Sequence, residues 1–195
     1  MLIGLYSPVP QSGKSTVARF LQEAMPTTVM PMAGPLKTFA AALLQEVGAD
    51  AKRHLYLDKE APIEQLPGKP TGRRLLQTLG TEWGRDCIAS RLWVGVWEKA
   101  YSRHRFAWPN DLVIVDDVRF PDEAEAVQAA GGELWMVMRP KQTIGRGHRS
   151  EGALDQWRFD QVLLNDEGLE ELKAETFSLL DGLPSAGSDS SSRSA

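Results

Sequence analysis

Leu2-Ile3-Gly4-Leu5-Tyr6-Ser7-Pro8-Val9-Pro10-Gln11-Ser12-Gly13-Lys14-Ser15-Thr16 stands at the head of the chain, and its reading decides the fold. A short apolar run empties into a tight loop, Gly-Lys-Ser follows, and an amphipathic pattern begins at once. This is the order of parts in a phosphate-cradling P-loop. A nucleotide's polyphosphate needs several convergent N–H donors, and backbone amides running into a helix N-terminus supply them together with the positive end of the dipole. Ser12 and Gly13 lie where the backbone must come close, and Lys14 is expected against the β- and γ-phosphates as a point charge. Ser15 offers a hydroxyl to Mg²⁺, and Thr16 continues the first turn.

One position departs from the pattern GxxxxGK[ST]: counting back from Gly13, its first glycine is replaced by Pro8, with a second proline at Pro10. Proline fixes φ near about −65° and donates no N–H, so the loop cannot use a left-handed residue there. The donors nearest the β-phosphate come from the Gly-Lys-Ser end, which is intact. The plainer alternative, a solvated turn with a surface lysine, leaves unexplained why a buried-type strand leads straight into it.

The chain has 195 residues, of which 42% are hydrophobic and 25% charged, enough for one domain with a sizeable core. A net charge of −4 and a pI near 5.5 argue against a general nucleic-acid surface and favour a small anionic ligand in a local cationic cleft. The sequence shows neither a membrane span nor a signal peptide, so a cytoplasmic setting is expected. Cys87 is the single cysteine, which excludes an intramolecular disulfide and thiolate clusters; its place in a helical pattern reads as a buried structural thiol. His54 has no partner at metal-ligand spacing.

Taken in order, residues 1–7 read as a strand covered on both faces, and Val17, Ala18, Leu21, Ala24 and Met25 give a helix from Lys14 that Pro26 ends. Thr27–Met30 suits a second strand and Leu36–Val47 a second helix. Residues 48–71, rich in Lys, Pro and Gly, read as a long mobile loop or an excursion outside the sheet that serves the substrate. From Gly72 to about Tyr101 the pattern is helical in two pieces, with Leu75, Leu76, Leu79, Ile88, Leu92 and Val96 as the expected buried stripe. The opposite face carries Arg73, Arg74, Gln77, Thr81, Glu82 and Arg85, which either line a cleft or form an ordinary solvated face.

Leu112–Val115 followed by Asp116-Asp117 reads as a parallel-sheet strand ending in carboxylates, where an acid can reach the Mg²⁺ shell. Spacing does not separate the two aspartates. Pro121 and Glu123 suit the first turn of a helix running to Gly131-Gly132, and Leu134–Met138 is another buried strand. Residues 139–152 carry Lys141, Arg146 and Arg149 among glycines, a basic segment that reads as a lid over phosphates or as a charged surface loop. A last strand, Gln161–Asn165, and a last helix, Glu167–Leu180, complete the domain at 1–181, and 182–195 is expected to be a disordered tail. Strand–helix alternation predicts an α/β, three-layer P-loop NTPase fold with a mainly parallel sheet of about five strands.

Four stretches together resemble the bacteriophage-type deoxynucleoside monophosphate kinases, within the P-loop nucleoside-monophosphate kinase group. They are Gln11–Thr16, Arg74-Leu75-Leu76-Gln77-Thr78-Leu79-Gly80-Thr81-Glu82-Trp83-Gly84-Arg85, Asp117-Val118-Arg119-Phe120-Pro121-Asp122-Glu123-Ala124-Glu125 and His148-Arg149-Ser150-Glu151. The first is generic to nucleotide binders; the second and third are far more specific. The resemblance implies an enzyme that transfers the γ-phosphoryl of ATP to a deoxynucleoside 5′-monophosphate, with Mg²⁺. By the same resemblance Lys14 and Ser15 serve ATP and the metal, and Asp117 is favoured over Asp116 for the metal by the Asp-Val-Arg motif. Arg85 and Arg119 hold or bridge phosphates, Arg74, Gln77, Thr81 and Glu82 contact the acceptor, and Arg146 and Arg149 belong to a lid over ATP. The partners implied are small nucleotides, with no nucleic-acid polymer and no membrane; a homodimer is left open, and for a phage-encoded chain the setting is the host cytoplasm. Two rival readings share the loop: a P-loop kinase of another small metabolite, such as dephospho-coenzyme A, and a non-catalytic nucleotide-binding protein.

Overall fold

β1 (Leu2–Tyr6) is the middle strand of a five-stranded sheet whose other members are β2 (Thr27–Val29), β3 (Leu112–Val115), β4 (Glu133–Met138) and β5 (Gln161–Leu164), in the order β2-β3-β1-β4-β5. Every residue of β1 and of β3 is buried, as continuous apolar runs require when both faces are covered. All four pairings are parallel, with Ile3 in register with Ile114 on one side and Glu133 on the other. The chain leaves β1 towards β2 and later passes to its other side at β4, so β1 stands where the winding reverses. In open parallel sheets the crevice at the carboxyl ends of such strands is the usual ligand site.

This computed structural model describes residues 1–140 and 153–183. Two compact units are present: one is Met1–Pro31 with the chain from Arg103 onward, the other Met32–Ser102. In the first unit, α1 (Lys14–Ala24) places Val17, Ala18, Phe20 and Leu21 on Ile3, Leu5, Ile114, Trp135 and Leu163, and α6 (Leu169–Asp181) adds Leu172 to the same cluster. α5 (Pro121–Ala129) buries Ala124, Ala126 and Val127 and packs on β1 and β4. Sheet and helices make the layered α/β architecture that strand–helix alternation predicts. No helix among the described residues is long and apolar enough to cross a membrane.

The second unit has its own core, in which α2 (Gly34–Glu46) brings Ala40 and Leu44 to Ala49, Leu55 and Ile63. Residues 48–71 therefore contribute buried side chains rather than a bare loop: a single π-helical turn, Arg53–Leu57, closes on an Asp58 N–H to Arg53 carbonyl bond of 2.7 Å, and Pro62 bridges to Thr71. α3 (Gly72–Gln77) is capped by the Thr71 hydroxyl, which accepts from the Arg74 N–H at 3.2 Å.

Here the structure corrects the sequence pattern. α3 continues into a π-helix, Thr78–Ile88, and only after an extended Ala89 does α4 (Leu92–Ala107) begin. The wider winding and the break reset the helical phase, so Ile88 and Val96 are 55% and 42% exposed while Trp93, Val94 and Trp97 are buried instead. Cys87, expected as a buried thiol, is exposed for the same reason. The Trp93 indole N–H donates to the Gly80 carbonyl at 3.0 Å and passes so close to Gly84 that a Cβ there would lie 2.3 Å from it.

Candidate active site

Because the strands run parallel, the segments after β1, β3, β4 and β5 emerge at one edge of the sheet, which gathers residues far apart in the chain. The Ser7–Gly13 loop follows β1. Its start is fixed by Ser7, whose hydroxyl donates to the Val9 carbonyl at 2.9 Å and accepts from the Val9 N–H at 3.2 Å, with the Val9 side chain buried. The loop's left-handed residues are Gln11, at φ 56°, and Gly13, at φ 110°, so the turn is made after the prolines and Pro8 occupies a place that does not demand glycine. The Thr16 and Val17 N–H groups both bond the Gly13 carbonyl at 2.9 Å, and no side chain caps α1 among the described residues. That leaves the N-terminal end of α1 open to an anion.

Lys14 enters α1 at this edge. Burial, and then the Arg119 guanidinium, push its ammonium down from 10.5 to about 8, while the Asp116 and Asp117 carboxylates pull it back up. Lys14, Arg119, Asp116 and Asp117 thus share one electrostatic neighbourhood, although more than a hundred residues separate the lysine from the others. Two cations face two carboxylates here, and two unlike ligands suit such a field: a polyphosphate for the lysine and arginine, a divalent ion for the acids. Ser15 is exposed beside them.

The loop carrying Arg119 is held from within. Glu123, 6% exposed, accepts the backbone N–H groups of Arg119 at 2.8 Å and Phe120 at 3.1 Å and so caps α5 with its own carboxylate. The sequence marks Glu123 only as favourable to a helix N-terminus; its grip on the Arg119 backbone is a finding of the structure. Two further residues escape sequence reading. Asn165, just past β5, donates its side-chain amide to the Ser12 carbonyl at 2.8 Å, and Arg139, just past β4, donates to the Gln11 carbonyl at 3.4 Å. Their signal is position alone, a polar residue directly after a strand. Together with Asp166, Glu167 and Gly168 they line a cavity of about 280 Å³.

In the second unit, Arg74 and Gln77 lie on α3, and Thr81, Glu82 and Arg85 on the π-helix that continues it. Arg74, Gln77 and Glu82 are exposed, and the Arg85 guanidinium donates to the Ser90 carbonyl at 3.2 Å. These five residues are thus carried by one continuous helical stretch. Arg146 and Arg149 lie outside the described residues.

Comparison with known proteins points the same way. The family model for deoxynucleotide monophosphate kinase matches residues 63–176. A putative deoxynucleotide monophosphate kinase of Acanthamoeba polyphaga mimivirus is 30% identical over 195 residues, covering 93% of this chain and 96% of that protein. The deoxynucleoside-5′-monophosphate kinase of Escherichia phage T5 is 29% identical over 117 residues, 56% of this chain and 45% of its own length. Among solved structures, TT1252 from Thermus thermophilus shares the fold with a TM-score of 0.54 at 19% identity, over 94% of this chain and 98% of that one.

Proposed function

Since this chain belongs to the deoxynucleotide monophosphate kinase family, we propose that it moves the γ-phosphoryl of ATP to a deoxynucleoside 5′-monophosphate, giving ADP and the deoxynucleoside diphosphate. The observation that carries the reading at residue level is the shared field of Lys14, Arg119, Asp116 and Asp117 beside the uncapped start of α1. Phosphoryl transfer asks little covalent chemistry of a protein and a great deal of alignment and charge neutralisation. In this reading the amides of Ser12, Gly13 and Lys14 cradle the donor's phosphates, the Lys14 ammonium lies against the β- and γ-oxygens, and Thr16 continues the helix behind them. Arg119 neutralises charge on the phosphoryl in flight. Arg74, Gln77, Thr81, Glu82 and Arg85 bind the acceptor.

The oxygen donors of Ser15, Asp116 and Asp117 fit Mg²⁺, a hard cation usually held by one or two carboxylates with phosphates and water, and when bound it supplies charge neutralisation at the β- and γ-phosphates. Asp117 is the favoured carboxylate because it begins the Asp-Val-Arg run. The partners in this reading are small nucleotides in a cytoplasmic setting. Neither a kinase of another metabolite nor a non-catalytic binder is favoured by the family match. The test is a panel of deoxy- and ribonucleoside monophosphates incubated with Mg-ATP, with ADP release as the readout. Release with at least one deoxynucleotide is expected; release with none of them, alongside turnover of a different acceptor, refutes the proposal.

A further inference from the structure

A loop that turns its amides towards an anion must turn its carbonyls away, and a carbonyl turned into protein needs a donor. Ser12 is 2% exposed, and its carbonyl receives that donor from the Asn165 side-chain amide at 2.8 Å. Asn165 is itself fixed, because its backbone N–H donates to the Met138 carbonyl at the end of β4 at 2.8 Å. The amide is therefore mounted on the ends of two adjoining strands. It also fills the space beside Gly13, where a Cβ would come within 2.7 Å of its nitrogen. The bond falls between Gln11 and Gly13, the two left-handed residues of the loop, a conformation that a free chain seldom holds at a non-glycine position. Arg139 adds a longer bond to the Gln11 carbonyl, one residue earlier.

We propose that Asn165 is a positioning residue for the donor nucleotide: by holding the Ser12 carbonyl turned into the protein it keeps the Ser12, Gly13 and Lys14 amides set for the polyphosphate before ATP arrives, with Arg139 as a weaker second tether. This rests on the kinase reading above. Asn165 touches the loop and not the phosphates, so its effect is on preorganisation. The pattern of loss follows from the chemistry. Asp at this position has the size of Asn but sets an acceptor against an acceptor, whereas Leu fills the space and bonds nothing.

The experiment compares wild type with Asn165→Asp, Asn165→Leu, Asn165→Ala and Lys14→Ala. For each, the Kd of ATP is measured by calorimetry without acceptor, along with KM for both substrates, kcat and the ligand-free unfolding temperature. Asn165→Asp is expected to raise the Kd and KM of ATP about tenfold, equivalent to about 1.4 kcal/mol. Asn165→Leu and Asn165→Ala are expected to raise them about threefold, with the monophosphate KM within about twofold throughout. Equal ATP affinity in wild type and the folded Asn165 variants overturns the proposal, and so does a fall in unfolding temperature without change in ATP Kd, which would assign the bond to stability alone. Asn165→Ala, which adds neither charge nor bulk, keeps the test decisive should Asp or Leu prevent folding. Loss of turnover in Lys14→Ala beside unaltered Asn165 variants removes the tether and leaves the kinase reading standing; wild-type turnover in Lys14→Ala removes this loop as the donor site and the tether with it, whereas no turnover of any monophosphate by the wild type removes the kinase reading.

Discussion

Replacing Lys14 by methionine is expected to make the ligand-free protein more stable and the enzyme nearly inactive. The structure keeps a lysine ammonium partly buried and beside Arg119, pushing it from 10.5 down to about 8. At about 1.4 kcal/mol per pH unit, that drop corresponds to roughly 3 kcal/mol spent on holding the charge in place, and Asp116 and Asp117 have already been credited in it. Methionine keeps most of the apolar stem and removes the charge, so a gain of about 1–3 kcal/mol near pH 7 is expected after allowance for solvent screening, or about 2–10 °C in unfolding temperature for a chain of this size. The sign with pH is fixed by proton linkage. Between about 8 and 10.5 the unfolded wild type binds more protons than the folded, so wild-type stability rises with pH there. The methionine variant has no such group, and its advantage is complete below about 8 and gone by about 10.5. Urea unfolding of both ligand-free proteins at a neutral and an alkaline pH measures this, while ATP calorimetry and turnover should show affinity and kcat/KM falling by at least about a hundredfold. A methionine variant no more stable than wild type near neutrality, or one whose advantage is undiminished at high pH, refutes the argument that Lys14 is strained for the sake of a polyphosphate.

Glu123→Gln weakens two charge-assisted bonds to the Arg119 and Phe120 N–H groups, and a loss of about 1–2 kcal/mol in urea unfolding with a parallel fall in kcat is expected; an unchanged midpoint would show that the carboxylate does not hold this loop. Gly13→Ala sets a Cβ at φ 110° and 2.7 Å from the Asn165 amide, so ATP affinity should fall at least tenfold, on the order of 1.4 kcal/mol, and wild-type affinity in this variant contradicts the geometry. Arg85→Ala should raise the monophosphate KM or lower kcat with the Kd of ATP unmoved, and identical acceptor kinetics in the two proteins would remove Arg85 from the acceptor set.

The first unit was largely legible because its signals are local. Leu2–Tyr6 and Leu112–Val115 are unbroken apolar runs, Pro26 ends the helix from Lys14, and Asp116-Asp117 announces a strand end, so strands and helices lie within one or two residues of their expected places. The second unit was less so. A reading at 3.6 residues per turn carries the stripe Ile88, Leu92, Val96 straight through a segment that winds as a π-helix and then breaks at Ala89, which exchanged the buried set for Trp93, Val94 and Trp97. Within the site, Lys14 and Ser15 were visible because a motif fixes their spacing. Glu123 and Asn165 were not, because what they do depends on backbone atoms of Arg119, Phe120 and Ser12, and in the case of Asn165 on a loop more than a hundred residues earlier in the chain.

The close passage of Trp93 under the π-helix has an optical consequence. Its indole and that of Trp83 lie 6.2 Å apart at 46°, and Trp83 stacks on Phe39 at 5.5 Å. Two chromophores held oblique at that range couple their transition dipoles, so circular dichroism in the indole bands should carry a signed couplet that originates in this one segment and that Trp93→Phe would abolish.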